Sequence, residues 1–208
     1  TYRYYADSNG AKSNQLDGAP INAGTYWVEA YAPETSSTAS ATSQAVRFHI
    51  EKAPLCIRAK GKTITYGETL SDNGAEINGF VNNENENVLS GLNYAFDYAQ
   101  FSDIGTYTII PMAAKAENYK ITYENGVLNV QPKPVEIKWN GESIFYYDGT
   151  PKLVTAEAIG AVNGDALTVI IEDGSRTETG SYTARAAALA GGKAGNYVLP
   201  DTNLLVSD

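Results

Sequence analysis

Three times along the chain an acidic or amide residue stands two positions before a glycine, and a hydroxyl residue and a tyrosine follow at once. The occurrences are Asn22-Ala-Gly24-Thr-Tyr26, Asp103-Ile-Gly105-Thr-Tyr107 and Glu178-Thr-Gly180-Ser-Tyr182. Glycine permits a turn too tight for other residues, and a tyrosine carries a large apolar ring with a polar tip. The spacing therefore marks three equivalent tight turns, with Gly24, Gly105 and Gly180 as the turning residues and Tyr26, Tyr107 and Tyr182 directly after them.

The turns belong to a longer repeat. The stretch "EKAPLCIRAKGKTITYGETL" from Glu51 aligns with "QPKPVEIKWNGESIFYYDGT" from Gln131, "NGFVNNENENVLSGL" with "IGAVNGDALTVII", and "AENYKI" with "AGNYVL". Two full modules are expected, at 54–133 and 134–208. Residues 1–53 match only the later part of a copy, "TYRYYAD" answering "NYAFDYA". A copy without its early strands exposes an apolar edge, so the natural protein is expected to extend upstream of Thr1.

Within each copy, short alternating runs are bounded by turn residues, as in a sandwich. In "VEIKW", Val135, Ile137 and Trp139 share one face, and Glu136 and Lys138 the other. Asn125-Gly126 between two alternating runs predicts a hairpin with a type I′ turn. No helical period of useful length appears, and 15 Tyr and 19 Gly favour strands and turns. The expected fold class is all-β: tandem β-sandwich modules in an elongated arrangement, since the joints "EKAP" and "QPKP" carry proline, which stiffens and extends the chain.

The element with tyrosine two residues beyond glycine is similar to the tyrosine corner of immunoglobulin-like sandwiches. That resemblance implies immunoglobulin-like β-sandwich modules with structural corners where the chain crosses between sheets, Tyr26, Tyr107 and Tyr182 being buried posts whose hydroxyls satisfy upstream backbone otherwise buried unpaired. Val28, Ile109 and Ala184 stand where antibody domains place a disulfide cysteine. With "YGETL", "YYDGTPKL", "ENY", "GNY" and the closing "NGVLNVQPKP", the chain resembles the MBG-type, mostly bacterial immunoglobulin-like repeats found in tandem in bacterial cell-surface proteins. The resemblance covers 54–208 and is weaker over 1–53, which lacks the Asn-Tyr pair. It implies an extracellular or cell-surface location and a non-catalytic structural or spacer role that supports adhesion. It supplies no catalytic residues. The competing readings are a module that binds a glycan or host protein, and an accessory region of a secreted glycan-active enzyme.

Charge narrows the partners. The net charge is -9, and no run of Lys or Arg occurs, so the basic footprint that nucleic acid requires is missing. No apolar run approaches the roughly 20 residues of a membrane-spanning helix, so no membrane insertion is expected within this stretch. One cysteine, Cys56, and one histidine, His49, give no intrachain disulfide, no thiolate cluster and no His-based metal site. No nucleophile motif surrounds a serine. The carboxylate pairs Glu172/Asp173 and Glu84/Glu86 fall in turn-like segments without a large pocket. No catalytic residue, cofactor or metal is assigned. Cys56 is expected to face outward on its strand.

The best binding patch is aromatic. In "TYWVEAY", Tyr26, Val28 and Ala30 are assigned to the core face and Trp27, Glu29 and Tyr31 to the outer one; Arg47 and His49 join them if "VRFHI" pairs alongside. Trp27, Tyr31, Arg47 and His49 are thus the candidate contacts for a glycan or a host protein, neighbouring repeats being the other expected partners. An isolated surface aromatic is more often packed against a loop or neighbour. The acidic stretch over 72–86, with Asp72, Glu76, Glu84 and Glu86, reads as a solvated loop, calcium being the alternative. The Ser/Thr-rich "APETSSTASATSQ" reads as a loop or a glycosylated hairpin tip.

Overall fold

A computed structural model describes residues 1–71 and 74–200, and the backbone of residues 204–206. Asp72 lies outside the described residues. The chain is all-β. The first copy supplies β1 (Tyr2–Ser8), β2 (Ala11–Gln15), β3 (Gly24–Ala32), β4 (Ala41–Thr42) and β5 (Val46–Ile50). Next come β6 (Ala53–Ala59), β7 (Lys62–Thr65), β8 (Ala75–Asn78), β9 (Asn93–Phe96), β10 (Gly105–Met112), β11 (Tyr119–Glu124) and β12 (Gly126–Gln131). The last stretch holds β13 (Lys133–Pro134), β14 (Glu136–Asn140), β15 (Lys152–Leu153), β16 (Thr155–Ile159), β17 (Thr168–Glu172), β18 (Ser175–Arg176), β19 (Thr183–Ala190), β20 (Tyr197–Val198) and β21 (Leu204–Val206).

The strands form two compact units. One contains Thr1–Ala59, Gly74–Ala95 and Ile110–Asn125; the other contains Lys60–Asn73, Phe96–Ile109 and Gly126–Asp208. In the first, β3 pairs with β1, β4 and β5, and β6 lies between β11 and β8. In the second, β12 lies between β7 and the start of β10, β14 pairs with β16, and β19 lies between β17 and β21.

Alternation sets the buried faces. Along β6, Leu55, Ile57 and Ala59 are buried, Pro54 and Arg58 are exposed, and Cys56 is half-buried on that outer side. Along β12, Gly126, Leu128 and Val130 are buried, while Val127, Asn129 and Gln131 face out. Both follow from successive strand residues pointing to opposite faces. The repeat is visible in register as well. Tyr119 pairs in parallel with Ala53 as Tyr197 does with Lys133, and Cys56 opposes Asn78 as Glu136 opposes Ile159.

Two expectations are corrected. Asn125-Gly126 does not close a hairpin: neither residue has positive φ, β11 pairs in parallel with β6, and β12 pairs with β10 and β7. A type I′ turn needs positive φ at both central positions, and here the chain changes sheet instead. On β3 the division of faces also differs. Glu29, assigned outward, is only 6% exposed, whereas Ala30, assigned to the core, is exposed. Long side chains from β1 and β2 lie across the Glu29 side and cover it more completely than the opposite side is covered. The Ser/Thr-rich stretch pairs with β3 through β4 and closes on itself in a Thr35–Thr38 bridge.

Candidate functional site at the corners and the Asn-Tyr elements

The aromatic patch of the first copy is built on β3 and β5, which pair antiparallel with Trp27 opposite Arg47 and Thr25 opposite His49. Asp7 of β1 draws two members together. Its Oδ1 accepts from Trp27 Nε1 at 2.8 Å and from Arg47 Nε at 2.9 Å, and its Oδ2 accepts from the Gly10 N–H at 3.1 Å. The Arg47 guanidinium, helped by those N–H groups, holds the Asp7 carboxyl down at about 2 despite the opposing effect of burial. Beside it, Glu29 accepts from Lys12 Nζ at 2.6 Å and from the Tyr5 hydroxyl at 2.5 Å, and these donors push its pKa below the usual carboxylate range. The Arg3 guanidinium covers the Tyr31 ring at 3.2 Å from its centroid, and His49 Nδ1 lies 2.9 Å from Thr25 Oγ1. Trp27 and Arg47 therefore meet on one carboxylate. Tyr31 and His49 have separate neighbours, and one face of the Tyr31 ring is already taken.

The three corners share the same glycine conformation, with φ of +155°, +152° and +153° at Gly24, Gly105 and Gly180. A side chain at such a φ is strained. Each tyrosine hydroxyl donates upstream: Tyr26 to the Asn22 carbonyl at 3.0 Å, Tyr107 to that of Asp103 at 2.6 Å, and Tyr182 to that of Thr179 at 3.4 Å. The rings are half-buried, not the fully buried posts expected, because each hydroxyl reaches carbonyls of an exposed turn.

A second recurrent element docks on two of these corners. Asn118 Oδ1 accepts from the Ala23 N–H at 3.0 Å while its Nδ2 donates to Asn22 Oδ1 at 3.0 Å. Asn196 repeats the arrangement one copy on: its Oδ1 accepts from the Ile104 N–H at 2.9 Å, and its Nδ2 donates to Asp103 Oδ1 at 2.8 Å. An amide is the group for this task, since it carries an acceptor and donors side by side. The recurring Asn or Asp before the glycine and the recurring Asn before tyrosine are thus two halves of one clasp. Lys193 adds an ion pair to Asp103 at 2.6 Å, which holds that carboxyl's pKa down.

The tyrosine after each clasping asparagine is held in turn. The Tyr119 hydroxyl donates to Glu84 at 2.6 Å and accepts from the Val81 N–H at 3.1 Å; the Tyr197 hydroxyl donates to Asp165 at 2.7 Å and accepts from the Val162 N–H at 3.1 Å. Burial, reinforced by Asp165, pushes the Tyr197 phenol up to about 12. Glu84 of the acidic loop is therefore engaged by a phenol.

Residues 55–129 match the family model described as MBG domain (YGX type). This segment is an MBG domain. No curated protein and no solved structure matches the chain. Within the MBG domain, Tyr-Gly-x is Tyr66-Gly67-Glu68, and each part has a physical task. Tyr66, 1% exposed, donates its hydroxyl to Asp165 at 2.9 Å and sets its ring edge-on to Tyr197 at 5.4 Å. Gly67 has φ +88°, and a Cβ there would lie 2.9 Å from Val162 Cγ2. The Tyr-Gly pair of the MBG domain is thus a seat for the Asn-Tyr element of the following copy.

The carboxylate pairs are engaged as well, Glu172 with Arg185 and Asp173 with Arg176. Among the described residues no group of three His, Cys, Asp or Glu side chains converges to hold a metal ion, and no helix is long and apolar enough to cross a membrane. Asp7, Asp165 and the roles of Glu29, Asn118 and Asn196 were not legible from the residues alone. The recurrence of Asn-Tyr was the available signal, but it marks only that the element matters; what the amide grips lies 96 and 93 residues away.

Proposed function

We propose that this chain is a non-catalytic structural repeat segment of a bacterial surface or secreted protein, in which each copy is clasped to the corner of the one before, and that it displays a neighbouring region for adhesion outside the cell. The observation that carries the reading is the duplicated clasp, Asn118 on Asn22 and Ala23, and Asn196 on Asp103 and Ile104. A binding module or an enzyme spends its polar side chains on a ligand. Here the recurring ones are spent on joining copies, the economy expected of solenoid-like arrays whose stability comes from nearest-neighbour interfaces. The aromatic patch fits the same reading, since the Trp27 indole N–H and the Arg47 guanidinium are both committed to Asp7.

The test is replacement. In the protein that carries this segment, residues 1–208 are exchanged for the same number of unrelated β-sandwich modules, with surface level matched. Retained attachment is the expected result. Lost attachment at equal surface level, or a specific hit when the chain itself is applied to glycan and extracellular-matrix arrays, overturns the reading.

A further inference from the structure

The third corner offers the same surface that the first two use for clasping. Glu178 stands where Asn22 and Asp103 stand, Thr179 where Ala23 and Ile104 stand, and Gly180 has the same φ within 2° of its counterparts. Glu178 and Thr179 are exposed. Next to this corner the sequence equivalent of Tyr66 is Tyr146, 15 residues beyond Gln131 as Tyr66 is beyond Glu51. Tyr66 is 1% exposed under the next copy, and Tyr146 is 88% exposed. Ile144, Phe145 and Tyr147 around it are exposed too. These side chains, with Glu178 and Tyr182, line one groove of about 200 Å³.

Its size and chemistry discriminate between occupants. Pockets for small molecules run from about 300 to 1,000 Å³, so this one suits inserted side chains better than a free ligand. A run of four exposed large apolar residues beside a polar corner is the composition of a protein-docking site. We infer that this face is the seat for a further module of the same repeat type, presenting an asparagine-tyrosine element.

The recognition chemistry follows from the two clasps already described. The incoming asparagine accepts from the Thr179 N–H and donates to the Glu178 carboxylate, one methylene longer than Asp103. The incoming tyrosine sets its ring edge-on to Tyr146, and an acid behind it accepts from the Tyr146 hydroxyl, as Asp165 does from Tyr66. Both clasping asparagines follow a lysine by three positions, in Lys115-Ala-Glu-Asn118 and Lys193-Ala-Gly-Asn196. Lys193 pairs with Asp103. A Lys-x-x-Asn-Tyr element facing Glu178 reproduces that ion pair, so the partner is defined at the level of sequence.

This inference rests on the structural-repeat reading but is tested separately. The full chain is compared with one extended after Asp208 by an additional copy of residues 131–208, and amide hydrogen exchange is read at Thr179. The Ile104 amide, held by Asn196 in both proteins, is the internal standard. Docking slows Thr179 exchange by about tenfold or more in the extended chain, and the slowing disappears when the added copy's asparagine equivalent to Asn196 is changed to Ala or when Glu178→Ala is introduced. Unchanged Thr179 exchange while Ile104 stays protected overturns the inference and leaves the structural-repeat reading standing. So does a glycan that quenches tyrosine fluorescence in the unextended chain and loses its effect with Tyr146→Ala, since the groove then serves a ligand.

Discussion

Replacing Asn196 with alanine tests whether the clasp holds the structure together or merely decorates it. Asn196 is 3% exposed, and its amide makes two hydrogen bonds, to the Ile104 N–H at 2.9 Å and to Asp103 Oδ1 at 2.8 Å. A neutral bond contributes about 0.5–1.5 kcal/mol and one to a charged group about 1.5–3 kcal/mol. Solvent reduces that sum. Ile104 is 38% exposed, so water reaches the freed N–H, and the Asp103 carboxylate keeps Lys193 at 2.6 Å. The expected loss for Asn196→Ala is therefore about 2 kcal/mol, near the lower end. For a chain of this length that corresponds to a fall in Tm of about 4–8 °C for the affected transition.

Urea unfolding followed by circular dichroism supplies the free energy, and hydrogen exchange at Ile104 supplies the location. The variant Asn196→Asp sharpens the test. It keeps an acceptor for the Ile104 N–H but sets a carboxylate against Asp103 and removes the donor, so at pH 7 it is expected to be less stable than the alanine variant. A loss below about 0.5 kcal/mol, within the range of ordinary surface substitutions, with unchanged Ile104 exchange, refutes the clasp as a stabilising joint.

Gly67→Ala is expected to cost about 1–2 kcal/mol, since φ is +88° and the new Cβ meets Val162 at 2.9 Å; Gly164→Ala, at φ +74° in open space, isolates the backbone part in the same thermal scans. Raising the pH destabilises the fold through Tyr197. Its phenol is pushed up to about 12 in the folded chain from 10.0, so the stabilisation is complete below pH 10 and is lost as the pH climbs through about 12, a dependence that Tyr197→Phe flattens in alkaline titrations. At the other end, Asp7 is held at about 2 against 3.8. Its contribution is present above pH 3.8 and lost as pH falls through about 2, and acid unfolding followed by tryptophan fluorescence is expected to shift to higher pH and lose that step in Asp7→Asn. Trp27→Ala is expected to leave glycan and matrix arrays unchanged while weakening the first copy, because the indole N–H serves Asp7.

Local physics made much of this protein legible from its residues. Period-two alternation separated Val135, Ile137 and Trp139, which are buried or half-buried, from the exposed Glu136 and Lys138, and glycine spacing located three turns whose φ values agree within 3°. Both are properties of a few consecutive residues, so no distant partner is needed to read them. The aligned runs from Glu51 and Gln131 likewise marked out strands that pair in equivalent registers. Where a residue's role depends on what comes from far along the chain, sequence was silent or misleading. Asn125-Gly126 carries the local signature of a hairpin, yet its flanking strands find better partners in β6, β7 and β10. Glu29 has the alternation of an outer residue, yet Lys12 and Tyr5 arrive to neutralise and cover it. The clasping asparagines and the seat at Tyr66 and Gly67 exist only once copies meet. A hydrogen bond depends on the distance and direction between two groups, and for residues more than ninety positions apart only the folded chain sets either.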